Sequence, residues 1–335
     1  TLEEQLTSAN LAFAKFVREN YREWVTAAAD PDAEQMEGAP LVSPQVFETW
    51  VDPIVRESKQ VFWIVIDCMR LDQLRMIEPL LEPFFRMDRR HYWSILPTAT
   101  PYARNAWCAA RTPLAISKNH PLYWIGTAAL DGSRTAHESE LLTEMLRRLE
   151  NPAAGNARYY KVSDARDTDH LHKNFGSLGN VKLVAGVYNF LDIMAHGRSQ
   201  NRILKELAPD EAAFRSLMRS WFEHSNLYEV MRNLARRDCT VILTTDHGSM
   251  LCRRSMKIRG NKDTSSNVRY KFGDNLGVDD EKVMLMKNPE DFRLPAQTTI
   301  ENYAITSENH YLVYPTKFHE YERLYRDSFQ HGGIS

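Results

Sequence analysis

The chain has little cysteine. Its 335 residues include four cysteines, and the closest two, Cys239 and Cys252, lie 13 residues apart. The sequence therefore contains no Cys-x-x-Cys motif and no zinc-knuckle spacing. Cysteines this sparse are typical of a reducing compartment rather than of a disulfide-bonded scaffold. We therefore expect a cytoplasmic protein in which histidines, acids and hydroxyls supply any metal ligands.

Long apolar segments and an excess of one charge are absent as well. The sequence has no apolar run of about 18 residues, the length that a transmembrane helix requires, and we expect no membrane partner. The 42 basic and 44 acidic residues leave a formal charge of −2. This balance disfavours a nucleic-acid coat protein and a polybasic membrane binder, but it is compatible with a local phosphate site.

The two ends of the chain lack the usual landmarks. It begins with Thr1 rather than an initiator Met, shows no apolar core of a signal peptide, and ends at His331-Gly-Gly-Ile-Ser335. We therefore expect a fragment of a longer protein. The length itself predicts about two domains, or one large domain with an appendage.

The first part of the chain is predicted to be helical. Apolar residues recur at helical spacing from Leu6 to Val25, and Ser43-Pro44 offers an N-cap for a second helix with apolar positions over residues 47–55. We interpret residues 1–56 as a helical segment and residues 57–335 as the main domain. The segment is either an appendage packed on that domain or a linker bundle to another one.

The main domain alternates predicted strands and helices. Its first apolar run, residues 61–66, is typical of a strand buried on both faces of a parallel sheet. Further strands are predicted over residues 92–96, 181–187 and 240–245, and helices over 71–84 and 211–237. This order predicts an α/β sandwich with a mostly parallel central sheet flanked by helices. Residues 248–277 are polar and basic, which predicts a long functional loop.

Potential metal ligands or nucleophiles follow four of these apolar runs. They are Asp67, Thr98 with Thr100, Asp192, and Asp246 with His247. Ligands of open α/β sheets bind beyond the carboxyl ends of the strands, and although one such acid could be a helix cap, four endings together indicate a site. Asp192 and His196 are four residues apart, so on a helix they would either share a metal or form a surface pair.

The residue types at these strand ends suit phosphoryl transfer at metal ions. Clustered carboxylates repel one another in a cleft of low dielectric constant, and divalent cations reverse that repulsion. Mixed Asp and His ligands suit zinc, with manganese as the alternative. Two ions about 4 Å apart hold the attacking and leaving oxygens of a phosphoryl displacement, and metal coordination lowers the pKa of a threonine hydroxyl enough to make it a nucleophile.

As a set and in this order, the motifs resemble the alkaline phosphatase superfamily and, within it, the PglZ family. The segments that carry the resemblance are Val-Ile-Asp67-Cys-Met-Arg70, Leu96-Pro-Thr-Ala-Thr100, Asn267-Val-Arg269-Tyr-Lys271 and Ser328-Phe-Gln-His331-Gly-Gly. They are similar to the PglZ output domain of PorX-type two-component response regulators. The resemblance covers roughly residue 5 to the end and implies an alkaline-phosphatase-like fold.

The resemblance also implies a function and two metal sites. One zinc ion would be held by Asp192, His196 and His331, and the other by Asp67, Asp246 and His247. The chain would be a phosphodiesterase acting on nucleotide or oligonucleotide substrates. It would serve as the output of a receiver domain outside this chain, phosphorylated by a sensor kinase, in the control of type IX secretion. A regulatory protein partner or a homodimer is also expected.

Several assignments have competitors. Thr100 is preferred to Thr98 as the nucleophile because the second Thr of Pro-Thr-x-Thr attacks in the superfamily's phosphodiesterases, and His331 is preferred to His310 as the last ligand. The predicted substrate-binding residues are Asn105, Arg269 and Lys271, since helix N-termini and basic side chains suit phosphate.

The competing function is a signalling or partner-docking module with a structural metal site. The substrate, the preference for diesters over monoesters and the oligomeric state stay open.

Overall fold

The structure of the protein is a computed structural model, which describes residues 1–29, 38–124, 133–163, 167, 175–260, 267–278 and 281–334. The α-helices of these residues are α1 (Leu2–Ala27), α2 (Asp52–Glu57), α3 (Leu71–Leu81), α4 (Thr100–Ala109), α5 (Pro113–Asn119), α6 (Glu138–Arg148), α7 (Phe190–Gln200), α8 (Arg202–Leu207), α9 (Glu211–Glu223), α10 (Asn226–Leu234) and α11 (Phe318–Tyr325). The strands are β1 (Val61–Ile66), β2 (Ala157–Val162), β3 (Leu183–Tyr188), β4 (Thr240–Thr244), β5 (Met250–Cys252), β6 (Arg254–Lys257), β7 (Tyr270–Asp274), β8 (Val283–Met286), β9 (Glu301–Thr306), β10 (His310–Val313) and β11 (Ser328–Gln330).

The chain folds into two compact units, each built from separate stretches of sequence. The first unit comprises Thr1–Gln45, Tyr92–Glu138 and Ser249–Ser335, and the second comprises Val46–His91 and Ser139–Gly248. The boundary between residues 56 and 57 that the sequence suggests stays a prediction. Among the described residues, no helix combines the length and the apolar character needed to cross a membrane.

The second unit contains the parallel sheet that the sequence predicts. Its strand order is β2-β3-β1-β4, and every pair is parallel. All six residues of β1 are buried, which agrees with its position between β3 and β4 and with an apolar run that has no polar face. The predicted α/β architecture, a parallel central sheet flanked by helices with a helix at the N-terminus, is confirmed.

Both faces of β1 contribute to the core of the second unit. Phe62, Ile64 and Ile66 pack in a buried cluster with apolar side chains of α3, α9 and α10. Trp63 points to the opposite face, where its ring lies 5.2 Å from that of Phe47. Because successive side chains of a strand alternate between faces, helical segments cover the sheet on both sides and leave its carboxyl edge to position a site.

The first unit holds α1 and an antiparallel sheet. The predicted first helix is confirmed as α1, which begins at Thr1 with a capping box formed with Glu4. Its buried face, which includes Tyr21 and Trp24, belongs to a cluster that also contains residues of the sheet β7-β9-β8. The Tyr21 hydroxyl accepts a hydrogen bond from the Leu96 N–H (2.8 Å), and burial raises the pKa of Tyr21 well above its usual value.

The strand predicted over residues 92–96 is wrong. Apart from an isolated bridge between Trp93 and Val42, this stretch has no strand pairing. Side chains take the place of a partner strand: the Ile95 N–H donates to the Ser43 hydroxyl (3.1 Å) and the Leu96 N–H donates to Tyr21. Because the side chains of Ser43 and Tyr21 satisfy these backbone donors, the segment does not need a partner strand.

The second predicted helix is present but irregular. Residues Ser43–Gln45 form a 3-10 turn, Phe47–Val51 form a π turn, and only Asp52–Glu57 are α-helical. Ser43 is therefore not a helix cap, and its hydroxyl instead accepts the hydrogen bond from Ile95.

Two longer predictions are also wrong. The single helix expected over 211–237 is divided into α9 and α10 by Ser225, which caps α10 by accepting from the Tyr228 N–H (3.2 Å).

The loop expected over 248–277 contains β5, β6 and β7, although residues 261–266 lie outside the described residues. These strands are short and pair with strands far along the chain, and β6 and β7 carry charged side chains, so the local sequence does not reveal them. The sequence also gave no signal for β2.

Candidate metal centre

The carboxyl edge of the parallel sheet brings three predicted acids to one place in the second unit. Asp67 directly follows β1, Asp246 follows β4, and Asp192 lies in the first turn of α7, just after β3. The Asp67 N–H donates to the carbonyl of Tyr188, the last residue of β3 (3.0 Å). Since β1 lies between β3 and β4, the spatial grouping of these strand endings is as the sequence predicts.

Asp67, Asp246 and His247 form a compact buried cluster. Each offers one ligand atom, and these atoms all lie within 4.8 Å of one another. The Nε2 atom of His247 is 3.4 Å from Oδ1 of Asp67 and 3.7 Å from Oδ2 of Asp246. The exposed fraction of each residue is 2%, so water screens the two carboxylates poorly, and a divalent cation would offset their charge.

The hydrogen bond of the other ring nitrogen sets the tautomer of His247. Its Nδ1 lies 3.1 Å from the carbonyl oxygen of Gly248. A carbonyl only accepts, so Nδ1 carries a proton, and Nε2 is the ring nitrogen that faces the two carboxylates. A neutral imidazole held by a backbone carbonyl is the usual state of a histidine that ligates a metal, and the donor set therefore fits a divalent cation.

Backbone donors fix the orientation of Asp246. Its Oδ1 accepts hydrogen bonds from the N–H of His247 (3.0 Å) and the N–H of Cys68 (3.3 Å). Cys68 has a positive φ of 66°, the left-handed conformation that costs a residue with a Cβ about 1–2 kcal/mol. The turn after β1 is therefore strained at Cys68, and this conformation directs the Cys68 N–H at Asp246, a predicted metal ligand.

Thr245 joins the two ligand-bearing turns and was not predicted from the sequence. Its hydroxyl accepts a hydrogen bond from the Met69 N–H (3.1 Å) and donates one to the carbonyl of His247 (2.7 Å). The turn after β1 and the turn after β4 are therefore linked through one side chain. The only signal in the sequence is that a hydroxyl residue directly precedes Asp246-His247.

An ion-pair network anchors the helices beside the ligands. Arg70 binds Asp72, and its Nη1 lies 3.2 Å from Glu211 at the start of α9. Asp72 also accepts from Arg215 on α9 (3.0 Å). Burial alone would raise the pKa of Asp72, but the hydrogen bonds from Arg70 and Arg215 outweigh it and hold that pKa below its usual range. The carboxylate therefore stays charged and ties α3 to α9.

Asp192 and His196 form a second acid–histidine pair on α7. The His196 Nε2 lies 3.4 Å from Oδ1 of Asp192, and the two residues are one turn apart on one face of the helix. The side chain of His196 is 44% exposed, so this pair is far more open to solvent than the buried cluster. Its role as a second metal site stays a prediction.

The two candidate nucleophiles lie in the first unit and have different surroundings. The hydroxyl of Thr98 donates to the carbonyl of Gly333 (2.8 Å). Thr100 is the first residue of α4, preceded by Ala99, whose side chain cannot cap the helix. The Thr98 hydroxyl is therefore committed to a backbone contact, whereas Thr100 lies where the N–H groups and dipole of a ten-residue helix favour an anion.

The two histidines that compete for the last ligand position are both buried in the first unit. His331 has Nδ1 3.5 Å from the side-chain nitrogen of Asn267. His310 has Nδ1 3.2 Å from the Ser307 carbonyl, and burial together with the positive charge of Lys282 lowers its pKa. These contacts do not decide between the two residues as metal ligands.

The glycines after His331 have a packing role. A Cβ on Gly333 would overlap the guanidinium of Arg269, and one on Gly332 would overlap the ring of Tyr270. Gly332 also has a positive φ of 104°, which disfavours other residues. Packing within the first unit therefore accounts for both glycines.

All three predicted substrate-binding residues are buried in the first unit. The side-chain nitrogen of Asn105 donates to the carbonyls of Pro101 and Arg134 (both 2.9 Å). The guanidinium of Arg269 donates to the carbonyls of Glu308, His310 and Ile334, and the ammonium of Lys271 lies 5.3 Å from the ring of Tyr314 and 5.5 Å from that of Tyr321. Their contacts in the structure are with protein groups, and their substrate roles stay predictions.

Both the sequence and the fold have similarities to known proteins. The family model described as "BREX system PglZ alkaline phosphatase-like domain" matches residues 46–335. Among solved structures, an inactive threonine-to-alanine variant of murine ectonucleotide pyrophosphatase/phosphodiesterase 5, in complex with AMP, has 12% sequence identity and a TM-score of 0.49. That match covers 82% of this chain and 84% of that chain. No curated protein matches the sequence.

Proposed function

Because the chain belongs to the PglZ family of alkaline phosphatase-like domains, we propose that it hydrolyses phosphate esters with the help of metal ions. The observation that carries this proposal is the buried cluster of Asp67, Asp246 and His247. Two carboxylates and an imidazole that converge within 4.8 Å would be stabilised by a divalent cation. In an alkaline-phosphatase-like domain, such a cation would serve the hydrolysis of phosphate esters.

The proposed metal is zinc, bound as two ions. Asp67, Asp246 and His247 would hold one, and the sequence resemblance assigns Asp192, His196 and His331 to the other. Mixed carboxylate and imidazole ligation supports zinc, and manganese is the alternative. Bound zinc would act as a Lewis acid, stabilising negative charge on oxygen and lowering the pKa of a coordinated hydroxyl.

The proposed nucleophile is Thr100. Its place at the first position of α4 and the engagement of Thr98 with Gly333 support this choice. The backbone N–H groups of the first turn would bind the phosphate oxygens, and Asn105, Arg269 and Lys271 are the further substrate residues that the resemblance suggests. Attack of the Thr100 oxygen on a phosphodiester would form a nucleotidyl-threonine and release one alcohol, which takes up the proton that the hydroxyl loses. Water would then hydrolyse this intermediate to a phosphate monoester and restore the threonine.

The proposed substrates are phosphodiesters of the nucleotide or oligonucleotide type. The support is the Pro-Thr-x-Thr segment at residues 97–100, which resembles that of the superfamily's phosphodiesterases. The separate resemblance to the PglZ output domain of PorX-type response regulators, carried by the segments around Asp67, Thr100, Arg269 and His331, supports a cytoplasmic output role behind a receiver domain and its sensor kinase, in control of type IX secretion. The competing proposal, a docking module for a partner or a second copy, retains the metal only as a structural element.

The central test combines metal analysis with hydrolysis of bis-p-nitrophenyl phosphate. The wild-type chain should carry about two zinc equivalents and hydrolyse the diester. Thr100→Ala should keep the metal and lose hydrolysis, whereas Thr98→Val, the matched control, should keep both. Asp246→Asn should lose about one zinc equivalent.

Each competing outcome is distinct. Hydrolysis that survives Thr100→Ala but not Thr98→Val would make Thr98 the nucleophile. A fully metal-loaded chain that cleaves no diester or monoester would leave the docking module as the function. For the output role, adding a separately purified PorX-type receiver domain, with and without acetyl phosphate, should change the rate of diester cleavage. No change would refute that role.

A further inference from the structure

One edge of the parallel sheet in the second unit, the outer edge of β4, has no partner strand among the described residues. The residues of β4 are only half-buried. The Thr240 N–H donates to the Gln60 carbonyl on the side of β1. Because backbone groups alternate in direction along a strand, the N–H and C=O groups of Val241 and Leu243 point away from β1, toward the outer edge.

The two edge strands of this sheet differ in sequence. β2, at the opposite edge, carries Arg158 and Lys161, and charged side chains on an edge strand are a common protection against pairing with another chain. β4 has the sequence Thr-Val-Ile-Leu-Thr, with neither a charge nor a proline. Its outer edge therefore lacks this protection and can accept another strand.

A groove lies beside this edge, and we call it the β4 groove. Its volume is about 660 Å³, and its walls come from β4, α3, residues 84–90 and the C-terminal end of α10. One residue of an added strand occupies roughly 3.3 Å along the strand, 4.8 Å between strands and 10 Å across the sheet, which is about 160 Å³. The β4 groove therefore has room for about four residues of extended chain.

The floor of the β4 groove is apolar. Leu81 of α3 and Met231 and Leu234 of α10 are buried in the core cluster of this unit. Val241 and Leu243 pack against the same cluster. Side chains of a strand alternate between the two faces of a sheet, so every second side chain of an added strand would lie on this floor. Apolar side chains are favoured at those positions, because they remove the floor from water.

The rim of the β4 groove is basic. Four arginines and two acids line it, which is an excess of two positive charges. These residues are Arg86, Arg89, Arg90 and Arg237, with Glu78 and Asp88. Pairing of β4 with β4 of a second copy through a two-fold axis would place this rim against itself, and like charges disfavour that contact. The charge of the rim therefore favours an acidic strand over a second copy of the chain.

We propose that β4 accepts an extended, acidic peptide segment of a partner protein as a fifth strand of the sheet. The backbone of the segment would pair with Val241 and Leu243, its apolar side chains would lie on the floor, and its carboxylates would face the basic rim. The β4 groove shares no residue with the predicted metal ligands. The inference therefore does not rest on the proposed function.

Titration of the whole chain with fluorescent peptides, followed by anisotropy, tests the proposal. The probe is the hexapeptide Val-Glu-Val-Glu-Val-Glu, and it should bind at least tenfold more tightly than Val-Lys-Val-Lys-Val-Lys. Arg86→Glu should weaken binding of the acidic probe at least threefold. Arg158→Glu is the matched control, because this exposed arginine lies on β2, and it should leave the affinity unchanged.

Methylated peptides show whether the probe pairs as a strand. N-methyl groups on alternate residues block the N–H donors of one edge of an extended peptide and leave those of the other edge intact. Methylation of the valines and methylation of the glutamates should therefore differ: one should abolish binding and the other should retain it. This comparison uses the unaltered protein.

A proline on β4 tests the same pairing from the side of the protein. Val241→Pro removes an N–H that points away from β1, so no bond of the existing sheet is lost, and it should weaken binding of the acidic probe about tenfold. Val241→Thr is the matched control, because it keeps the N–H and the shape of the side chain. The melting temperature of each variant shows whether it is folded.

Cys239 offers a readout local to the β4 groove. It lines the groove and is half-buried, whereas Cys68, Cys108 and Cys252 are buried. Saturation with the acidic probe should cause a loss of alkylation of Cys239 by iodoacetamide, and the same concentration of the basic peptide should not.

Three results would overturn the proposal. One is the absence of binding of the acidic probe. Another is an equal effect of the two methylation patterns, since the probe would then not pair as a strand. The third is a dimer in sedimentation that Val241→Pro dissociates, because the outer edge of β4 would then belong to a second copy. Binding that leaves Cys239 open to alkylation would place the probe elsewhere and would equally refute the β4 groove as its site.

Discussion

Removal of the Thr245 hydroxyl should loosen the buried metal cluster. Thr245→Val keeps the shape of the side chain but deletes the oxygen that accepts from the Met69 N–H and donates to the His247 carbonyl. Two backbone groups beside the ligands then lose their partner. Each such loss costs about 1–3 kcal/mol when the group is buried, and because Thr245 itself is only half-buried we expect a total of about 2–3 kcal/mol.

Thr245→Val should also weaken metal binding, because the hydroxyl that it removes helps to position His247. Partners that orient a metal ligand typically contribute about 10–100-fold to metal affinity, so Thr245→Val should weaken zinc binding within that range. Competition with a chromophoric chelator measures the affinity, and urea unfolding in the presence of EDTA measures the stability of the metal-free chain.

Two substitutions control the experiment. Thr245→Ser retains the hydroxyl and loses one methyl group, so it should cost less than about 1 kcal/mol and restore zinc affinity. Thr244→Val removes a neighbouring hydroxyl whose contact, 3.5 Å to the Thr245 carbonyl, is at the limit of a hydrogen bond, and it should be nearly neutral. The reasoning is refuted if Thr245→Val behaves like Thr244→Val, or if Thr245→Ser loses zinc as readily as the valine variant.

Three further predictions concern stability. Because Cys68 has a φ of 66°, Cys68→Gly should be at least as stable in urea as Cys68→Ala, by up to about 1 kcal/mol, and a clearly more stable alanine variant would contradict the strain. Gly333→Ala should lose about 1–3 kcal/mol because its Cβ overlaps the Arg269 guanidinium, whereas Gly277→Ala, with open space around it, should change the free energy of unfolding by less than about 0.5 kcal/mol. The lowered pKa of His310 means that below its ordinary value of 6.5 the unfolded chain binds this proton more readily than the folded one, so stability falls as the pH drops. His310→Gln should flatten the pH dependence of the melting temperature between about pH 6.5 and pH 5, and an unchanged slope would exclude this histidine as its source.

The parallel sheet was predictable because a strand that is buried on both faces has an apolar residue at every position of its own sequence. Residues 61–66 therefore indicated a central strand, and parallel strands place their carboxyl ends at a common edge. The positions of Asp67 and Asp246 followed from those two facts. The strand expected over 92–96 failed because Tyr21 and Ser43, which lie far away in sequence, satisfy its backbone donors.

The surroundings of the basic residues were not predictable from local pattern. The sequence predicted Arg269 and Lys271 to be substrate-binding residues of a long functional loop, but they flank the start of β7, whose partner β9 lies some thirty residues further along the chain. Thr245 was missed for a related reason. A threonine before an Asp-His pair has no distinctive meaning until the turn that contains Met69 lies beside it.

The position of β1 also determines the order in which the second unit can form during synthesis. Val61 pairs with Leu183 and with Thr240, so the last of its neighbours leaves the ribosome about 180 residues after it, which takes roughly 10–40 s at about 5–20 residues per second. Throughout that interval the segment Val-Phe-Trp-Ile-Val-Ile lacks at least one of its two partner strands, and exposed strands of this composition aggregate. The apolar strand β1, which stabilises the folded sheet, is therefore also the segment for which a growing chain depends most on chaperones. Substitutions in β1 should affect the yield of folded protein before they affect the metal centre.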